Sequence, residues 1–143
     1  MYTKFQKELA VGQKYEVIAQ NRIIQYYENN LKVIETCNDF RYDFKLSNDL
    51  TYEVKYERSS LHTGNIFMEY IAFQKPSGID RTQADYYILV LPINDTDNQF
   101  ILIEVGIIKQ LIKDKEYTRK HSDKYKSGYI FSKNIIIHKG ILF

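Results

Sequence analysis

Asp43, Glu53 and Lys55 are the residues whose types and spacing most directly offer chemistry. Asp43 lies ten residues before a Glu53-Val54-Lys55 triplet within RYDFKLSNDLTYEVKYE. On a strand, side chains alternate between faces. Glu53 and Lys55 therefore share one face, and Val54 points into the opposite layer. A polar turn at Ser47, Asn48 and Asp49 folds the preceding run back alongside, which brings Asp43 to the same place. Two carboxylates and an ammonium then converge. Hard oxygen donors of this kind hold Mg²⁺, and a neighbouring lysine can orient or stabilise a hydroxide attacking a phosphate. The same Glu-X-Lys pattern also occurs as a solvated face or a cross-strand ion pair, so the surrounding elements must decide between the two readings.

Those elements are read from periodicity. Apolar residues at Phe5, Leu9, Val11, Tyr15, Ile18, Ala19, Ile23, Ile24 and Tyr27 recur at helical spacing and stop at Asn29-Asn30. Gly12 interrupts early, which predicts a regular helix from about there, with residues 1–11 as a separate lead-in. Strands are predicted over 32–36, 41–46, 50–56, 66–73, 86–91 and 100–105, and a helix over 107–115. Residues 58–65 and 74–81 read as loops, and 82–85 as a single helical turn. Residues 117–128 read as a basic loop, and 129–131 and 135–137 as short terminal strands. The runs at 86–91 and 100–105 suit a buried core better than an interface. The expected fold is a single 143-residue α/β domain (α+β mixed), with a central mixed β-sheet flanked by helices.

The bulk properties set limits. One cysteine, Cys37, excludes an internal disulfide and a multi-cysteine zinc site, and its apolar neighbours make it a small core residue. No secretory leader and no 18-residue apolar span is present, so no membrane association and a cytoplasmic setting are expected. The net charge of +2 is unevenly spread. Residues 1–105 hold 11 Lys/Arg against 15 Asp/Glu, whereas residues 106–143 hold 9 against 3. An acidic portion beside a basic tail suits a metal-dependent site acting on a polyanion, and equally a plain solvated surface.

These residues in this order resemble the PD-(D/E)XK nuclease superfamily, the restriction-endonuclease-like fold. Asp43 fills the first acidic position, with Tyr42 where the motif name has proline, and Glu53-Val54-Lys55 matches the (D/E)-X-K element. Gly12-Gln13-Lys14-Tyr15-Glu16 is similar to the Gly-X-X-X-Glu of the superfamily's first helix, and Glu8 is the competing upstream acid. The segments 63–70, 75–79 and 82–87 resemble a small phage-type branch described as Holliday-junction-resolvase-like.

The resemblance implies a restriction-endonuclease-like core and a DNA endonuclease that uses Mg²⁺ or Mn²⁺. Its substrate could be branched DNA, its assembly a homodimer, and its setting a bacterial or phage-infected cell. Asp43, Glu53 and the Val54 carbonyl would bind metal, Lys55 would act on the attacking water or the phosphate, and Glu16 would complete the cluster. Glu69 is a candidate supporting residue, and Ser77 and Thr82 are candidate phosphate contacts. Lys113, Lys115, Arg119, Lys120, Lys124 and Lys126 would form a mobile DNA-binding patch. Asp85 is expected to pair locally. His62, His121 and His138 carry no assigned role. The alternatives are a non-catalytic DNA- or protein-binding module, or a sequence- or lesion-specific restriction or repair enzyme.

Overall fold

The computed structural model describes residues 3–37 and 39–143, leaving aside the side chain of Phe5. In chain order the elements are α1 (Lys4–Tyr26), β1 (Val33–Thr36), β2 (Phe44–Leu46), β3 (Thr51–Tyr56), α2 (Ser60–Thr63), β4 (Asn65–Ala72) and β5 (Lys75–Pro76). A 3₁₀ turn follows at Gly78–Asp80. Then come β6 (Tyr86–Pro92), β7 (Asn98–Glu104), α3 (Val105–Lys113), β8 (Arg119–Ser122), β9 (Lys126–Ser132), α4 (Lys133–Lys139) and β10 (Ile141–Leu142).

Six strands form the central sheet in the order β1-β2-β3-β6-β7-β10. β3 and β6 run parallel and every other pair is antiparallel, so the sheet is mixed, as the sequence predicts. Alternation along its strands feeds two cores. Tyr52, Ile88, Val90 and Leu102 face one way and pack against Ala19 and Ile23 of α1. Tyr87, Leu89, Leu91 and Ile101 face the other way. There they meet α3, α4 and a second sheet of order β5-β4-β9-β8, which contributes Ile66, Met68 and Phe131. The runs at 86–91 and 100–105 are thus buried core.

Several sequence expectations are corrected. α1 starts at Lys4 and passes through Gly12 without a break, so there is no separate lead-in; residues 1 and 2 lie outside the described residues. The reason is a capping box. Gln6 N–H donates to Thr3 Oγ1 at 3.1 Å, and Thr3 N–H donates to Gln6 Oε1 at 2.9 Å. Such a cap, worth about 1 kcal/mol, offsets the helix cost of one glycine.

The loop expected over 58–65 contains α2, which ends at Gly64 in the left-handed region at φ 69°. The turn expected at 82–85 is irregular and not helical; Gln83 N–H bonds Arg41 O and Asp85 N–H bonds Thr51 O. The basic loop expected over 117–128 is the β8–β9 hairpin. Residues 135–137, expected as a strand, lie in α4, where Ser132 caps Asn134 N–H and Ile136 is buried.

Candidate functional site

Asp43 stands one residue before β2 and continues its pairing through the backbone. Its N–H donates to Tyr52 O at 2.9 Å, and its carbonyl accepts from Cys37 N–H at 2.9 Å. Val54 N–H donates to Asp43 Oδ2 at 2.6 Å, so the carboxylate occupies the place where a ladder acceptor would sit. Glu57 N–H, three residues on, donates to Val90 O of β6. By alternation, the N–H and C=O of Val54 point away from β6 and toward Asp43. Val54's side chain packs in the α1 layer, as predicted.

Glu53 and Lys55 project from the opposite face of β3. Glu53 is only 8% exposed, and Lys55 Nζ lies 3.4 Å from its Oε2. That oxygen is buried with the Lys55 ammonium as its charged neighbour, and the buried hydroxyl of Tyr87, a residue paired with Glu53 across β3 and β6, lies close enough to act on the Glu53 carboxyl. Tyr42, the residue at the motif's proline position, is buried, and its hydroxyl donates to Glu35.

The charges crowd one another. Burial raises the Glu53 pKa; Lys55 opposes that rise and Asp43 adds to it. Burial also raises Asp43, opposed by the Val54 amide and by Lys55. Glu16 is pushed up to about 7 by burial and then by the Asp43 charge, which joins this helix glutamate to the pair on the sheet. The structure thus brings Asp43, Glu53 and Lys55 together, and sets Glu16, on the α1 side of the sheet, within electrostatic reach of Asp43. Glu8 is exposed, early on α1.

Glu57 was missed in the sequence. It continues the period-two register of Glu53 and Lys55. Burial pushes it up to about 7, with the Phe67 amide, Lys55 and Lys126 opposing. Extending the alternation by one step would have found it.

The remaining candidates divide. The Glu69 charge is felt at Tyr87, whose pKa is raised first by burial and then by Glu53. Gly78, at φ 48°, packs so closely on Glu69 that a Cβ there would come within 2.2 Å of its carbonyl oxygen. Ser77 Oγ is buried without a partner among the described residues. Thr82 Oγ1 is engaged locally, donating to Arg41 O and accepting from Ala84 N–H. Asp85 pairs with a residue distant in sequence instead of locally: its Oδ2 accepts from Thr51 N–H and Oγ1.

Most of the basic residues lie on defined elements and not in a loop. Arg119 and Lys120 lie on β8, Lys126 opens β9 and Lys124 sits in the turn between them, while Lys113 ends α3 and Lys115 follows it. Asp123 Oδ1 fixes that turn by accepting from Tyr125 and Lys126 N–H. Of these cations, Lys126 registers electrostatically at the acidic cluster, through Glu57.

A cavity of about 400 Å³ opens at the carboxyl ends of the parallel pair β3 and β6. Lys14, Arg58 and His62 supply nitrogen donors to it, and Tyr15 and Tyr56 stack within it at 4.1 Å. Tyr15 precedes Glu16, and Tyr56 follows Lys55. Among the described residues, Asp95 is the one acid lining this cavity; neither this cavity nor a second of similar size, lined by Leu50, Asp85, Glu104 and Lys109 among others, is lined by Asp43, Glu53, Lys55 or Glu16.

Among the described residues, no group of three or more His, Cys, Asp or Glu side chains is arranged to hold a metal ion. Nor is any helix among them long and apolar enough to cross a membrane. No protein-family model, curated protein or solved structure matches this chain.

Proposed function

We propose that this protein is a metal-dependent DNA endonuclease of the PD-(D/E)XK type. The observation that carries the reading is Glu53 Oε2, a buried carboxylate oxygen whose charged neighbour is the Lys55 ammonium at 3.4 Å, clustered with an Asp43 that Val54 N–H fixes. Burying a carboxylate costs stability that one ammonium at 3.4 Å offsets only in part, and a divalent cation would offset more of it. Asp43 and Glu53, both raised by burial beside one lysine, with Glu16 raised by burial and then by Asp43, are the electrostatic counterpart of the same argument.

The donor types suit Mg²⁺ or Mn²⁺: Asp43, Glu53 and the Val54 carbonyl would supply oxygen ligands, with Glu16 on the Asp43 side. When bound, such an ion polarises the scissile phosphate and lowers the pKa of a coordinated water. Val54 N–H holds Asp43 in one rotamer. Lys55 Nζ serves the developing negative charge on the phosphate and the orientation of the attacking water. Glu16, with its raised pKa, can keep a proton near neutrality and give it up when a cation enters. The aromatic and cationic cavity at the ends of β3 and β6 suits a neighbouring stretch of nucleic-acid strand. Closed circular DNA incubated with Mg²⁺ tests the reading: nicked or linear products support it, and intact circles at every metal concentration refute it.

One observation favours a second reading. The acids do not form a ready three-ligand group, which suits a nuclease-like module that grips DNA without cutting it. DNA binding unaffected by Mg²⁺ or by Glu53→Gln would select that reading.

A further inference from the structure

β4 and β5 are joined by the two-residue turn Phe73-Gln74, with Ala72 paired to Lys75. Both turn residues have positive φ, 50° and 66°. A two-residue hairpin loop of that form is a type I′ turn, the place where Asn-Gly is favoured and a bulky aromatic residue is not. Phe73 is nonetheless there and is 73% exposed, so its ring gains little from burial.

The strained turn is held from outside. Phe73 N–H donates to Tyr125 O at 2.7 Å, tying the β4–β5 tip to the β8–β9 tip. Tyr125 is itself 58% exposed, and the two rings meet edge to face at 6.1 Å. Exposed Lys75, Lys124 and Lys126 flank them. The nearby Asp123 is engaged by Tyr125 N–H, Lys126 N–H and His121. Strain kept at an exposed aromatic residue points to a task for that residue.

We infer that Phe73 and Tyr125 form an aromatic wedge that stacks on unpaired bases where a DNA duplex branches or opens, with Lys75, Lys124 and Lys126 on the adjoining phosphates. Stacking on bases needs exposed rings, and lysines beside them select a polyanion. Apolar side chains inserted between base steps unstack DNA in the same way. Lys126 connects the wedge with the acidic cluster: its Nζ lies 5.3 Å from the Phe67 ring centre, and its charge reaches Glu57. The inference rests on the nuclease reading for the identity of the substrate, but its test is binding and needs no cutting.

The test replaces Phe73→Asn together with Gln74→Gly, which installs the residues that the turn favours. Tm should hold or rise, so lost binding cannot be ascribed to misfolding. In Ca²⁺, affinity for forked and four-way DNA should fall about tenfold, with fully paired duplex changed less than about twofold. A 2-aminopurine at the branch should brighten on binding the unaltered protein and stay dim with the variant. Tyr125→Ser should lose fork affinity in the same direction.

Fork affinity equal to that of the unaltered protein overturns the wedge. So does an equal loss on forks and duplexes, or loss of binding to anionic vesicles with fork binding intact. If no DNA is ever cut but the fork preference disappears in the variant, the wedge stands and the nuclease reading fails.

Discussion

Val54 N–H donates to Asp43 Oδ2 at 2.6 Å, so that a side-chain carboxylate takes over from the backbone where the pairing of β2 with β3 ends. The bond gives Asp43 two roles, one structural and one in the proposed chemistry. They can be separated. Asp43→Asn keeps an acceptor for Val54 N–H and should cost less than about 1 kcal/mol, whereas Asp43→Ala leaves a partly buried donor unpaired and should cost about 1–3 kcal/mol. Urea unfolding measures the difference. Cleavage should be abolished in both.

Glu53→Gln should behave in the opposite sense for stability. It removes a desolvated charge, and the Lys55 ammonium left behind is 41% exposed and can be hydrated, so Tm should stay level or rise. Activity should nevertheless fall to background. A fall in Tm of many degrees would mean that the Glu53–Lys55 pair is a structural ion pair, the plainer reading of Glu-X-Lys.

Lys55→Met retains most of the side-chain bulk and removes the charge. If Lys55 serves the transition state, kcat should drop about 10²- to 10³-fold with KM little changed. Equal changes in both would assign Lys55 to substrate binding alone.

Metal should stabilise the fold. The carboxylates must be deprotonated to bind a cation, and Asp43, Glu53 and Glu16 all have raised pKa values. Saturating Mn²⁺ should therefore raise Tm more at pH 8 than at pH 6. At a hundredfold excess over Kd the gain is about 2.7 kcal/mol. Glu53→Gln should remove most of it. No shift at either pH would argue for the binding module.

Glu57 gives a pH test independent of metal. Its pKa is raised to about 7 from 4.5. Between those values the native state holds a proton that the unfolded chain has lost, so stability is fully present below about 4.5 and declines as pH rises through about 7. Glu57→Gln should match the unaltered protein at pH 4 and exceed it at pH 8 by on the order of 1–3 kcal/mol. Parallel stability curves would remove Glu57 from the buried set.

What was legible in the sequence follows from how strongly each segment alternates. β3 is buried on both sides, and its pattern placed Glu53 and Lys55 on one face and Val54 on the other. The same rule extended two residues reaches Glu57, which a search for the Glu-X-Lys triplet passed over. β8 was unreadable because all four of its residues are exposed, which leaves no apolar period. Three consecutive isoleucines in α4 read as strand by propensity, and tertiary burial of Ile136 with the Ser132 cap overrides it. The break expected at Gly12 does not occur because the Thr3–Gln6 capping box secures the first turn of α1. The wedge residues Phe73 and Tyr125 carry no motif, since their exposure arises only when two hairpin tips meet.

The central claim is tested most directly by cleavage. Four-way junction, flap and linear duplex DNA would each be incubated with Mg²⁺ or Mn²⁺ and the unaltered protein, Glu53→Gln or Lys55→Met. The account predicts metal-dependent cutting, strongest on the branched substrates, that disappears with Glu53→Gln and falls steeply with Lys55→Met. Unaltered protein that binds these DNAs and cuts none of them with either metal would contradict it.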